Sequence, residues 1–213
     1  IVHVSCAEGI DLITAAKKAG VDITVETCPH YICLTSSILE DVGALAKCAP
    51  ALRNSAAVEA LHFKLCHGEI DTIGSDHSPC LESMKSTDTF FEAWGGISSL
   101  QHSGPITYSL LSKRLGLPLP SITNLTSFNP AKRFNLANKG SISVGLDADL
   151  SIIDFENEHP IEKSDLYYKN PHTPYLGMTF PMQVHRTFVR GTEVYNNGEF
   201  SDDFRGQFIQ PSR

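Results

Sequence analysis

Three residues carry the most suggestive chemistry in this 213-residue chain: His3 in "IVHVS", His30 in "VETCPHY" and Asp76 in "TIGSDHSPC". Two neutral imidazoles and a carboxylate form a donor set suited to zinc, a borderline-soft cation. Each also has a simpler reading on its own. His3 suits a core histidine bonded to a backbone carbonyl, and Ser75-Asp76 suits the cap of a turn. His30 follows Pro29 at a rigid exit from a strand. An unpaired carboxylate ending a buried strand is costly unless a cation or hydrogen bonds meet it, which singles out Asp76. Taken together, the three point to a metal site. His62 and His67 lie five apart on one helix and read as surface residues, because helical neighbours are three or four apart. His77 reads as a residue that orients substrate or a ligand, or that packs, and Ser75 as a turn residue. His102, His159, His172 and His185 read as structural or solvated.

Such residues meet only if the backbone brings strand ends together. "IVHVS" reads as a strand, "AEGIDLITAAKKAG" as a helix closed by Gly20, "DITVETCPH" as a strand and "SSILEDVGALAK" as a helix. After "KCAPALR" come a helix, "SAAVEALHFKLCHGEI", and a strand, "DTIGSD". Alternating strands and helices indicate parallel α/β units, either a barrel or an open sheet. In both, side chains at the carboxyl ends of different strands converge on one face. Residues 81–138 read as helices and loops broken at Gly95-Gly96, Gly104-Pro105 and Pro118/Pro120. From Lys139 the pattern turns to period-two alternation, with an Asn-Asn-Gly hairpin signal at Asn196 to Gly198. The expected organisation is an α/β part over 1–138 and a small antiparallel β part over 139–213.

Composition narrows the partners. A net charge of −7 without clustered Lys and Arg argues against nucleic acid. No apolar run reaches the roughly 20 residues that span a bilayer, and a cytoplasmic, soluble protein is expected. The six cysteines, Cys6, Cys28, Cys33, Cys48, Cys66 and Cys80, lack zinc-site CxxC spacing and read as reduced, packed thiols. Ile1 opens inside what reads as a core strand, so the chain is expected to continue a longer protein.

The ordered segments "VHVS", "VETCPHY", "CAPALR", "GSDHSPC", "WGGISSLQ", "NPAKRFNL" and "KGSISVGLDADLSIID" resemble the second half of the cyclic-amide branch of the amidohydrolase superfamily, most closely its allantoinases. The resemblance implies an α/β fold: the C-terminal half of a (β/α)8 barrel, strands 5 to 8, plus part of a small composite β-sandwich. It implies His3 on the fifth strand and His30 on the sixth as metal ligands, and Asp76 on the eighth as ligand and proton shuttle. It further implies two Zn2+ ions bridged by a carboxylated lysine upstream, a small cyclic ureide substrate such as allantoin, and a homotetramer. Ala49, Gly95 and Gly96 lie in the two segments that match the family's substrate-gripping loops, and His77 is a further substrate-side candidate. A glycine pair allows close backbone approach, and it equally suits a helix-start turn.

The chain departs from the family pattern at Ala49-Pro50-Ala51, where the family carries Ser-Pro-Pro or Ala-Pro-Pro. The family's His-x-His and bridging lysine lie upstream of the residues present. The 213 residues alone are therefore expected to bind zinc weakly and not to hydrolyse allantoin. Dihydropyrimidinase and dihydroorotase chemistry are the enzymatic alternatives. A metal-free binding relative is the non-catalytic one, and retention of His3, His30 and Asp76 together speaks against it.

Overall fold

The computed structural model describes residues 1–155, 159–202 and 206–211. Helix α1, Ala7–Lys18, buries Ile10 and Ile13 and stops where Gly20 takes a positive φ of 88°. The chain returns through strand β1, Glu26–Thr27, and turns at Pro29 into the short helix α2, Pro29–Cys33. Helix α3, Ile38–Val42, tightens into a 3-10 turn over Gly43–Ala46. Helix α4, Ser55–Cys66, begins where the Asn54 side chain accepts a hydrogen bond from Ala57 N at 3.0 Å. It buries Val58, Leu61, His62 and Leu65 and leads to strand β2, Thr72–Ile73.

β1 and β2 pair in parallel, Glu26 opposite Thr72 and Thr27 opposite Ile73. On the other side of β1, Glu26 N donates to Ile1 O and Val4 N donates to Glu26 O, at 2.9 and 2.8 Å. Residues 1–4 therefore extend the parallel arrangement. They do not form a regular strand, because His3 takes a left-handed φ of 44° in their midst.

β1 lies directly beside β2, and "KCAPALR", between them in sequence, is a loop, so the described residues place the 1–4 segment, β1 and β2 side by side.

Residues 100–133 are helical: α5, Leu100–Tyr108, continued by π-helical turns over Ser109–Arg114; α6, Leu119–Thr123, continued over Asn124–Phe128; and α7, Asn129–Arg133. The C-terminal part forms one antiparallel sheet in the order β3 (Leu150–Asp154), β4 (Gln183–Val189), β5 (Thr192–Asn196), β6 (Glu199–Phe200). The hairpin at Asn197-Gly198 has φ values of 46° and 100°, the doubly positive signature that the Asn-Gly pair favours. A second such turn, Arg190-Gly191, joins β4 to β5. The described residues of this region form a single sheet.

The boundary near residue 139 is not a clean one. Ile161 and Tyr175 belong to the same buried cluster as Ile10, Tyr31, Leu61, Ile97, Ile106 and Leu111. Thr173 Oγ1 donates to Ser98 O at 2.7 Å, and His172 Nε2 meets Cys80 O at 2.8 Å. The segment between β3 and β4 thus packs back onto the α/β part, and burying each large side chain there contributes about 2 kcal/mol. The expected 139–213 unit also includes residues 156–158, 203–205 and 212–213, which lie outside the described residues.

Candidate active site

The carboxyl ends of β1, β2 and the 1–4 segment open onto one face, and the sequence-selected residues gather there. Ligand atoms of Cys28, His30 and Asp76 all lie within 4.8 Å of one another. His30 is wholly buried, and neither ring nitrogen has a hydrogen-bond partner among the described residues. Burial, followed by the charge of nearby His3, pushes its pKa down to about 4, so the imidazole is neutral at pH 7. A buried neutral imidazole with two unpaired nitrogens costs free energy unless something accepts its lone pair, and a divalent cation does so. The donor set therefore fits a metal.

His3 lies outside the tight cluster, half-buried at the end of the neighbouring segment. Asp76 is exposed rather than desolvated, so the argument from burial cost does not apply to it. What marks both is backbone geometry: His3 and Asp76 each take φ of 44°, a left-handed conformation that non-glycine residues adopt at a cost.

Two groups in the site carried no signal in the sequence. Cys28 stands where a small core side chain was expected, and burial, then the Asp76 and Glu26 carboxylates, raise its thiol pKa. Glu26 is raised chiefly by desolvation, an effect opposed by its Thr72 hydrogen bond. A Cβ at Gly74 would stand 2.7 Å from the Glu26 carboxylate, which would have to shift to make room.

His77 is held in one tautomer. Its Nδ1 accepts hydrogen bonds from Ser99 N and Leu100 N, at 3.0 and 3.2 Å, which puts the ring proton on Nε2. The ring stacks on Tyr168 at 5.3 Å, and burial lowers its pKa. Ser75 behaves as a turn residue, its Oγ accepting from His77 N at 3.3 Å.

The loops holding Ala49, Gly95 and Gly96 converge beside this face. A Cβ on Gly95 would touch Ala49 Cβ at 3.8 Å. At Gly96 it would stand 2.2 Å from Ser78 Oγ, a clash that makes glycine obligatory. Tyr31 OH donates to Pro50 O at 2.7 Å and ties the Ala49 loop to α2.

Other histidines divide unevenly. His62 is buried, contrary to the surface reading, because α4 packs on α2 and its Nε2 meets Ile32 O at 2.7 Å. His67 is exposed and stacks on Phe63. His102 and His172 are buried, while His185 sits between Asn197 and Asp154. A cleft of about 360 Å³ between α5 and the antiparallel sheet lies away from the strand ends.

Strand-end donors on a parallel α/β frame thus stand beside a glycine-lined loop pair. A model of the amidohydrolase family matches residues 1–194, and the chain belongs to that family. It is 42% identical to the allantoinase of Rubrobacter xylanophilus over 213 residues, all of this chain and 47% of that protein. With the allantoinase of Deinococcus radiodurans the figures are 42% over 211 residues, 99% of this chain and 47% of that protein. Among solved structures it resembles the L-hydantoinase (dihydropyrimidinase) of Arthrobacter aurescens. That match has 31% identity and a TM-score of 0.90 over 94% of this chain and 45% of that one. The chain thus spans about half the length of the relatives it matches. Their fold and family make it part of an α/β-barrel amidohydrolase. No helix among the described residues is long and apolar enough to cross a membrane.

Proposed function

We propose that the full-length protein hydrolyses a cyclic amide, with allantoin opened to allantoate as the leading substrate. The observation that carries this reading is identity of about 40% to allantoinases along the whole chain, in a protein whose His30 is buried without a hydrogen-bond partner beside Asp76. His3 and His30 are the proposed ligands of one zinc and Asp76 of the other, and the remaining ligands, a bridging carboxylated lysine among them, would come from outside residues 1–213. The metal's chemistry would be to polarise the ring carbonyl and acidify water. Asp76 would take the proton from the attacking water as the C–O bond forms, and pass it to the ring nitrogen as the C–N bond breaks. His77, with its proton on Nε2, would offer a donor to a substrate oxygen. The loops at Ala49 and at Gly95-Gly96 would hold the ring amide through backbone groups, in a cytoplasmic homotetramer.

A dihydropyrimidinase-type reaction is the second reading, favoured by the similarity to the Arthrobacter aurescens and Brevibacillus agri enzymes. The full-length protein, zinc-loaded and assayed on allantoin, dihydrouracil and dihydroorotate, separates the two. Turnover of allantoin above the others is expected. Preference for dihydrouracil would sink the leading reading, and inertness on all three would sink both.

A further inference from the structure

The two loops beside the site are joined by a single buried ammonium. Lys85 follows the 3-10 turn Glu82–Met84 and is only 7% exposed. Its Nζ donates to four backbone carbonyls: Ala44 at 2.8 Å, Lys47 at 3.2 Å, Trp94 at 2.9 Å and Gly96 at 2.7 Å. An ammonium has three protons, so four carbonyls surround it as they would a bare cation. Two of them precede Ala49 on one loop, and the other two flank Gly95 on the other. No carboxylate bonds to Lys85 among the described residues, and burial lowers its pKa. Among the described residues, the groups bonded to this ammonium are peptide carbonyls, whose dipoles face the charge.

A lysine buried this deeply is expensive, and plain packing would be served as well by an apolar side chain. A cation does something that an apolar side chain cannot, because it turns carbonyls towards itself. Peptides are planar, and in a trans peptide the N–H points opposite to the C=O. With Trp94 O and Gly96 O drawn onto Lys85, the N–H groups of Gly95 and Ile97 are turned the other way. The same ammonium sets the spacing between Gly95 and Ala49, whose Cβ positions are in contact. Lys47 makes a second clamp from the opposite loop, donating to Phe90 O, Phe91 O and Ala93 O at 2.8, 2.8 and 2.6 Å.

We infer that Lys85 is a positioning residue for ring-amide recognition: by gathering four carbonyls from two loops, it fixes the direction of the Gly95 peptide and the gap opposite Ala49. This rests on the proposed reading that these loops hold a cyclic amide. Lys85 touches no reacting atom, so its loss weakens substrate binding more than the chemical step.

The test uses the full-length, metal-loaded protein with Lys85→Ala and, in case the cavity impairs folding, Lys85→Gln. KM is expected to rise about 10- to 100-fold, as loss of hydrogen bonds to a charged group implies, with kcat within about threefold. Metal content and circular dichroism should match wild type. Added n-propylammonium, which replaces the deleted part of the side chain, should lower the KM of Lys85→Ala, whereas n-propanol should not. An unchanged KM in a folded variant overturns the inference, as does rescue by propanol or a kcat loss that tracks metal loss. A wild type inert on every cyclic amide defeats the functional reading and this inference with it. An active wild type with an unaffected variant defeats the inference alone.

Discussion

Non-glycine residues take the left-handed backbone conformation in both halves of the molecule, for different reasons. In the antiparallel sheet, Arg190 and Asn197 do so at φ of 49° and 46°, each followed by a positive-φ glycine in a two-residue hairpin turn. The right-handed twist of the flanking strands demands that geometry. In the parallel region, His3 and Asp76 do so at the ends of strand positions, where no hairpin requires it. Glycine would adopt either position without the Cβ cost, so what these two sites retain is the side chain. Strain explained by local geometry marks a turn, whereas strain without a local cause marks the site.

The comparison can be broken most decisively at Asp76. In the full-length protein, Asp76→Asn should lower turnover at least about 10³-fold, the scale of a lost proton-transfer group, with the fold intact by circular dichroism. Asp76→Gly should be equally inactive yet unfold at a slightly higher temperature, because the left-handed strain is relieved. A less stable Asp76→Gly would show that the strain lies elsewhere.

Acid should destabilise the fold through its buried histidines. Burial, opposed by Asp165, holds the folded pKa of His102 at about 4, below its ordinary 6.5. Between those values the unfolded chain binds the proton and the folded one does not. Stability is therefore fully present above pH 6.5 and falls as pH drops towards 4, by about 3 kcal/mol. Thermal unfolding followed from pH 7 to pH 4 checks this, and His102→Gln should flatten the profile.

Gly96→Ala comes next in size. Its Cβ meets Ser78 at 2.2 Å, and the required shift should cost about 2 kcal/mol of stability by chemical denaturation and displace the loop enough to lower activity. Smallest is Gly198→Ala in the distal hairpin, with φ of 100°. It should cost about 1 kcal/mol and leave turnover unchanged. A fall in turnover there would join the two regions that the comparison separates.

Legibility in the sequence followed the range of the interactions. A strand within "DITVETCPH", the α4 pattern and the Asn-Gly hairpin were readable, because side-chain periodicity and turn chemistry are local, although the regular strand is only Glu26–Thr27 and Pro29-His30 opens α2. The state of "KCAPALR" was not, since it carries no pattern that tells a loop from a short strand. His62 read as surface because burial depends on which helix packs against α4. Lys85 carried no signal at all, because a lysine in a polar loop normally reaches water, and four carbonyls from distant segments caged this one.

The sequence by itself determined the alternation of elements, the donor types of the candidate site and membership in the amidohydrolase family. Only the tertiary structure decided that the 1–4 segment, β1 and β2 present His3, His30 and Asp76 side by side, that Cys28 and Glu26 stand among them, and that Lys85 holds the two loops together. The physical reason is that residue type and periodicity are properties of short segments. Desolvation, unpaired ring nitrogens and carbonyl cages arise only when segments far apart in the chain exclude water from one another.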